Sequence, residues 1–412
     1  MMKIGAVQRL VVALYALVWG ALPGASALPV KKILNNGLTV LVSPEPGSGR
    51  VAAVLMVRAG DVDDPSEVPG ANRLLARLLV NSAAHRGPDR FTEFAVDGSV
   101  WSAAETDVTT FSAVTTPDQL DTALRLLNVV LEPPPWNTGD MARAVRREAD
   151  SDADEQPTDY EHDLAVLESR LGNAVSAMMS SSRGPSPDEL RRLHARLYTA
   201  NRMTLAVVGD VTSAEVFAGA GRAFRKIEPD YNKEGKRDRF AARQPKMEPT
   251  GTYAFSGYKA PPVTDPDAPA VEVLAAAAGT GKTGFLFRYL RETDGAGYES
   301  GAVYPKRLGP SVAALFARSP NDARVMRDRL SALWKQTIDG SPEDLRRARL
   351  RAVHNHQAQR QTMRDRAYWL AFRETAGVGA EDEWTTRLAA VTDEQLKACA
   401  NRWFSGAPAV VP

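Results

Sequence analysis

Arg73, Ala76 and Arg77 stand at i, i+3 and i+4 of a stretch that reads as a helix, a spacing that brings three side chains toward one helical face. Two imidazoles there, with a carboxylate beside the second, would grip one divalent ion and activate its bound water. Two guanidiniums cannot. They offer no lone pair, stay protonated and repel a cation, and Ala76 has no group that can accept a proton. The segment Arg73 to Arg77 therefore excludes a zinc centre of that kind.

Three other patterns invite a chemical reading and fail on spacing. Gly279-Thr280-Gly281-Lys282-Thr283 looks like a phosphate loop, but Ala276 stands where the first glycine is required and the residues before it read as helix, so no nucleotide is expected. Asp150, Asp152, Asp154 and Glu161 mimic calcium-loop positions, yet Glu155 replaces the turn glycine and Pro157 interrupts the loop, which leaves an acidic helix end. His354 and His356, two apart on a helical stretch, diverge too widely to share a metal and read as surface residues.

The elements that must position these residues follow from periodicity. Asn35-Asn36-Gly37 reads as a turn into the strand Leu38 to Val42, with Val51 to Val57 as its neighbour. From Gly70 to Asn81 the period becomes helical, Leu74, Leu75, Leu78 and Leu79 sharing one face. Strands are expected near Val100 to Ala104 and Val108 to Val114, then helices over Pro117 to Leu131, Met141 to Asp150, Glu161 to Met179 and Pro187 to Tyr198, and the strand Met203 to Val208. A polar stretch over 229–249 reads as a linker. Beyond it come a strand near Thr252 to Tyr258, a helix over Ala270 to Ala278 and another ending at Leu290. Helix Thr392 to Trp403 then leads into Ala409-Val410-Val411, much as Pro187 to Tyr198 leads into its strand, which hints at an internal duplication.

Lys3 and Arg9, the apolar run Leu10 to Leu22, and Ala25-Ser26-Ala27 have the form of an export signal over 1–27, with Leu28 as the first mature residue and an uncleaved anchor as the alternative. The 385 residues that remain exceed one ordinary core and suggest two domains, 28–228 and 250–412. With 51 basic against 50 acidic residues, no nucleic-acid partner is indicated. Cys399, the only cysteine, has no intrachain partner and reads as a small buried hydrophobe.

In order and spacing, Leu34 to Val40, Ala59-Gly60 through Gly70, Ala104 to Thr109, Tyr198 to Asp210, Leu290-Arg291-Glu292 with Gly297-Tyr298, and the closing Val391-Thr392 helix resemble the pitrilysin-type, or M16, zinc peptidases. The resemblance implies an α+β chain of two tandem homologous domains, each an antiparallel-rich sheet covered on one face by helices, forming half of a clamshell around a peptide chamber. It also implies that Arg73, Ala76 and Arg77 occupy the His-x-x-Glu-His positions and that Glu148 is the remaining third ligand, with Glu155 a less favoured register and Met141 replacing a further glutamate. A pair of Glu148 with Arg73 or Arg77 would fill the space of the metal. Arg291 and Tyr298 keep the seven-residue spacing with which active members hold a substrate carbonyl, and both are donors suited to developing negative charge. The implied role is a non-catalytic, periplasmic subunit that binds no zinc itself and completes a homologous partner carrying zinc on His-x-x-Glu-His. A non-proteolytic scaffold is the alternative.

Overall fold

The computed structural model describes residues 28–65, 67–86, 100–136, 139–154, 158–173, 185–230, 247–279, 284–292, 299–318, 323–378 and 381–411. The expected signal segment and most of the expected linker lie outside the described residues. Among the described residues no helix is long and apolar enough to cross a membrane.

The first half runs β1 (Val30–Ile33), β2 (Thr39–Pro44), β3 (Val51–Val57), a short 3-10 turn (Asp61–Asp63), α1 (Ala71–Arg86), β4 (Val100–Ala104), β5 (Thr109–Thr115), α2 (Leu120–Leu131), α3 (Gly139–Asp154), α4 (Asp159–Arg170), α5 (Pro187–Leu197), β6 (Met203–Gly209) and α6 (Ser213–Ala223). The turn before β2 works because Gly37 takes φ of 87°, while the Asn36 amide donates to the Phe224 and Ile227 carbonyls at 2.9 and 3.1 Å. The helix expected over Glu161 to Met179 stops at Arg170. Gly172 follows with φ of 76°, a left-handed conformation that ends a helix, and 174–179 lie outside the described residues.

The second half runs β7 (Tyr253–Ala260), α7 (Ala268–Gly279), a π-helical turn (Phe287–Glu292), β8 (Ser300–Val303), β9 (Ser311–Arg318), α8 (Ala323–Ile338), α9 (Pro342–Ala358), α10 (Met363–Ala376), α11 (Glu381–Ala390), α12 (Asp393–Trp403) and β10 (Ala409–Val411). The two sheets share a four-strand order. The first is ordered β1-β2-β6-β3-β5-β4 and the second β10-β7-β9-β8, so that β6-β3-β5-β4 repeats as β10-β7-β9-β8. In each half the helix before the last strand opens on a capping box: Ser186 with Glu189, and Thr392 with Gln395. The duplication hinted at by sequence is thus present in the strand order. Among the described residues every ladder is antiparallel except β2 with β6.

The first sheet departs from the expectation of helices on one face only. All seven residues of β3 and of β6 are buried. Val51, Ala53, Leu55 and Val57 face α1, α2, α5 and α6, while Ala52, Val54 and Met56 pack into the core of the second half, under α10. Strands buried on both faces read as unbroken apolar runs, as these two do. The exchange is reciprocal: from the first half, Val166 and Leu167 of α4, with Tyr160, cover Tyr253, Phe255 and Phe316 of the second sheet. On that sheet's opposite face Trp334 donates to the Ser256 carbonyl at 3.0 Å and packs with Tyr258 and Phe404.

His356 corrects the sequence reading. His354 is exposed, but His356 is only 1% exposed, because the buried stripe of α9 runs Leu345, Ala348, Ala352, His356. Two of its members are alanines, too small to announce a core face. Cys399 is buried as read, its thiol pushed up to about 12 by burial and by Asp267. The Glu161 carboxylate accepts from the Thr158 amide at 2.9 Å and caps α4, while the side chains of Asp150, Asp152 and Asp154 lie outside the described residues.

Candidate functional site

The strand β3 delivers the chain to Gly60, where backbone crowds so closely that a Cβ would sit 2.5 Å from the Glu105 carbonyl oxygen. The chain turns there through Asp61–Asp63 and enters α1 under the control of one carboxylate. Asp64 accepts from the Gly70 amide at 2.7 Å and from the Asn72 amide at 2.8 Å, and the Asn72 side chain donates to the Gly60 carbonyl at 2.7 Å. An anion at a helix N-terminus satisfies donors that the helix itself leaves open. This fixes the register of the first turn of α1, and so the directions of Arg73, Ala76 and Arg77.

Ala76 is 1% exposed and belongs to the core, while Arg73 and Arg77 are part-buried. Arg73 approaches Asp61, its Nη2 lying 3.7 Å from Oδ2. Glu148 lies on α3, as does Met141, which is 6% exposed. The Glu148 side chain, and with it the expected pairing to Arg73 or Arg77, lies outside the described residues, as does Glu155. Of the second pair, Arg291 lies on the π-helical turn, its side chain not described, and Tyr298 lies outside the described residues.

The donor set does not fit a zinc ion. Two guanidiniums and a buried methyl stand where ligands and a base would be, and a protonated guanidinium cannot coordinate. Among the described residues, no three His, Cys, Asp or Glu side chains are grouped to hold a metal.

Asp61 and Arg73 instead open onto a cleft of about 360 Å³ where the two halves meet. Its walls come from the β4–β5 turn (Glu105, Asp107), from α4 (Glu161, Glu168) and from the β8–β9 loop (Lys306, Arg307). That loop is bound into the first half: Arg307 meets Glu168 at 2.7 Å, and the Leu308 amide donates to Asp107 at 2.9 Å. Tyr368 of α10 donates to Glu105 at 2.8 Å. Burial, then the neighbouring Asp64 charge, pushes the Asp61 carboxyl up to about 7 against the opposing pull of Arg73. Burial also raises Glu105 and Glu168, the latter opposed by Arg307. The site can therefore hold charge and bind polar groups.

Asp61, Glu168 and Arg307 were not legible as site residues. The acidic Asp61-Val62-Asp63-Asp64 run at the strand-to-helix junction was the available signal, while Glu168 and Arg307 meet only through the tertiary fold.

Residues 39–178 match the family described as Insulinase (Peptidase family M16), and residues 186–349 match the Peptidase M16 inactive domain, which together take in most of the chain. An uncharacterized zinc protease of Mycobacterium leprae is 27% identical over 289 residues, 66% of this chain and 65% of that protein. The insulin-degrading enzyme of Drosophila melanogaster is 27% identical over 214 residues, 47% of this chain. The chain spans 21% of the length of the fly enzyme, and just under two thirds of the mycobacterial protein. Among solved structures, a protease from Helicobacter pylori aligns with a TM-score of 0.73 at 17% identity, covering 93% of this chain and 98% of that one. An M16 inactive domain from Pseudomonas fluorescens aligns with a TM-score of 0.73 at 17% identity, covering 93% and 96%. At these identities the structural likeness speaks for the fold.

Proposed function

We propose that this chain, which belongs to the M16 peptidase family and carries Arg73, Ala76 and Arg77 where the resemblance puts His-x-x-Glu-His, is the non-catalytic, exported subunit of a two-chain peptidase. In this reading a homologous partner with an intact His-x-x-Glu-His motif supplies zinc and the general base. This chain supplies a chamber wall and, through Arg291 and Tyr298, donors for the carbonyl of a bound peptide. The compartment is the periplasm, reached through the signal over 1–27.

One observation carries the reading: α1 is a full helix, capped by Asp64 and packed through Leu74, Leu75, Leu78 and Leu79, while Arg73, Ala76 and Arg77 stand where the resemblance puts the ligands and the base. Retention of the frame suits a chain whose shape is still used. The edge strand β4, which pairs on one side with β5, further offers backbone groups to which an extended peptide could add.

The test is reconstitution. The chain purified alone should contain no stoichiometric zinc and cleave no peptide, and it should raise the turnover of a His-x-x-Glu-His partner encoded beside it. Replacing Arg291 with Ala and Tyr298 with Phe should lower that turnover with the complex intact. Zinc-dependent cleavage by the isolated chain would overturn the proposal, and a stable complex whose turnover ignores both substitutions would favour a scaffold.

A further inference from the structure

The cleft at the seam is lined by more carboxylates than cations, and two of the three cations are already engaged. Lys306 lies 3.0 Å from Glu272, and Arg307 lies 2.7 Å from Glu168, all four side chains being nearly buried. Arg73 differs. Its nearest acidic neighbour, Asp61, stands at 3.7 Å, beyond hydrogen-bond length, and its side chain is 37% exposed. Among the described residues it makes no hydrogen bond at all, so its planar array of N–H donors lines the cleft unspent.

A guanidinium in this condition is suited to a carboxylate, which it can hold by two parallel charge-assisted hydrogen bonds. The walls decide what kind of carboxylate. Glu105, Asp107 and Glu161 make the surroundings of Arg73 negative, which disfavours a simple anion and favours a ligand that carries its own positive end. The room, about 360 Å³, is at the small end of ligand sites and suits a molecule of dipeptide size better than a folded partner.

We propose that the seam cleft binds short zwitterionic peptides, with the C-terminal carboxylate on Arg73 and the ammonium toward the acidic wall of Glu105 and Glu161. The inference rests on the reading that this chain works among peptides, and it gives the residue that displaced a metal ligand a task of its own: retaining small cleavage products. Asp61 is then a positioning residue, steering Arg73 without neutralising it at hydrogen-bond range.

The experiment is calorimetric titration of the isolated full chain, which needs no partner and so fails or succeeds separately from the heterodimer. The probes are Ala-Ala, its C-terminal amide, and its N-acetyl form. Ala-Ala should bind, and both blocked forms should bind at least about tenfold more weakly, the effect of losing one charge-assisted contact. Arg73→Gln should abolish binding and Arg73→Lys should restore part of it. Equal affinity for the acid and the amide, or no heat with Ala-Ala at millimolar concentration, overturns the proposal. The comparison of probes on the unaltered chain stands even if a variant fails to fold.

Discussion

Asp61→Asn should stabilise the protein at pH 8 by more than it does at pH 4. The Asp61 carboxyl is 4% exposed and moves from an ordinary value of 3.8 to about 7, chiefly because burial penalises its charge, with Asp64 adding to the effect and Arg73 and Arg307 opposing it. At roughly 1.4 kcal/mol per tenfold change in proton affinity, that difference is worth about 4 kcal/mol. The folded value lies above the unfolded one, so the folded state holds the proton more tightly. The stability this confers is fully present below pH 3.8 and is lost as pH rises through about 7. Asparagine has nothing to ionise. The stability of Asp61→Asn relative to the parent should therefore climb between pH 4 and 7 and level off above it. Urea unfolding at pH 4, 5.5, 7 and 8 reads this directly, with the slope of each transition checked for constancy. A difference that is flat with pH would refute the reasoning, and a difference that falls would mean that the attraction of Arg73 exceeds the cost of burial.

His356 offers the opposite case. Burial, with Lys306, Arg360 and Arg373 nearby, holds it down at about 3 against an ordinary 6.5, so stability should fall by roughly 1.4 kcal/mol per pH unit as pH drops from 6.5 toward 3. His356→Phe should flatten that part of the acid limb in a melting series. Arg307→Gln should destabilise by about 3–5 kcal/mol, because it strands Glu168 at the seam, and the double variant with Glu168→Gln should recover much of the loss in a denaturant titration. Gly279→Ala should cost about 1–3 kcal/mol in the same assay, since a Cβ there would lie 2.1 Å from the Ala302 nitrogen and force β8 away from α7.

Local pattern carried the first half well, and for physical reasons. The strands β2, β3, β5 and β6 are bounded by turn residues and rich in Val and Thr, and the leucines of α1 recur at helical spacing, so period alone placed them. The second half was less legible. Little was read between Leu290 and Thr392, where β8, β9 and four helices lie, because the buried face of α9 is built on alanines and that of β8 on a glycine. At Gly279 the approach of β8 is by itself enough to require a glycine, a packing demand that no local motif shows.

The amino-acid sequence by itself determined that Arg73, Ala76 and Arg77 cannot hold zinc, because ligand chemistry belongs to side-chain type and helical spacing, both of which are local. It also determined the family frame, since strand, turn and helix signals are written within a few residues of one another. The tertiary structure alone decided what those cations face. Asp61 stands near Arg73 because a 3-10 turn folds back on the helix it precedes, and Glu168 meets Arg307 because the β8–β9 loop of one half docks on α4 of the other. Neither contact has a periodicity to betray it: partners 139 residues apart are joined only when two sheets exchange their covering helices.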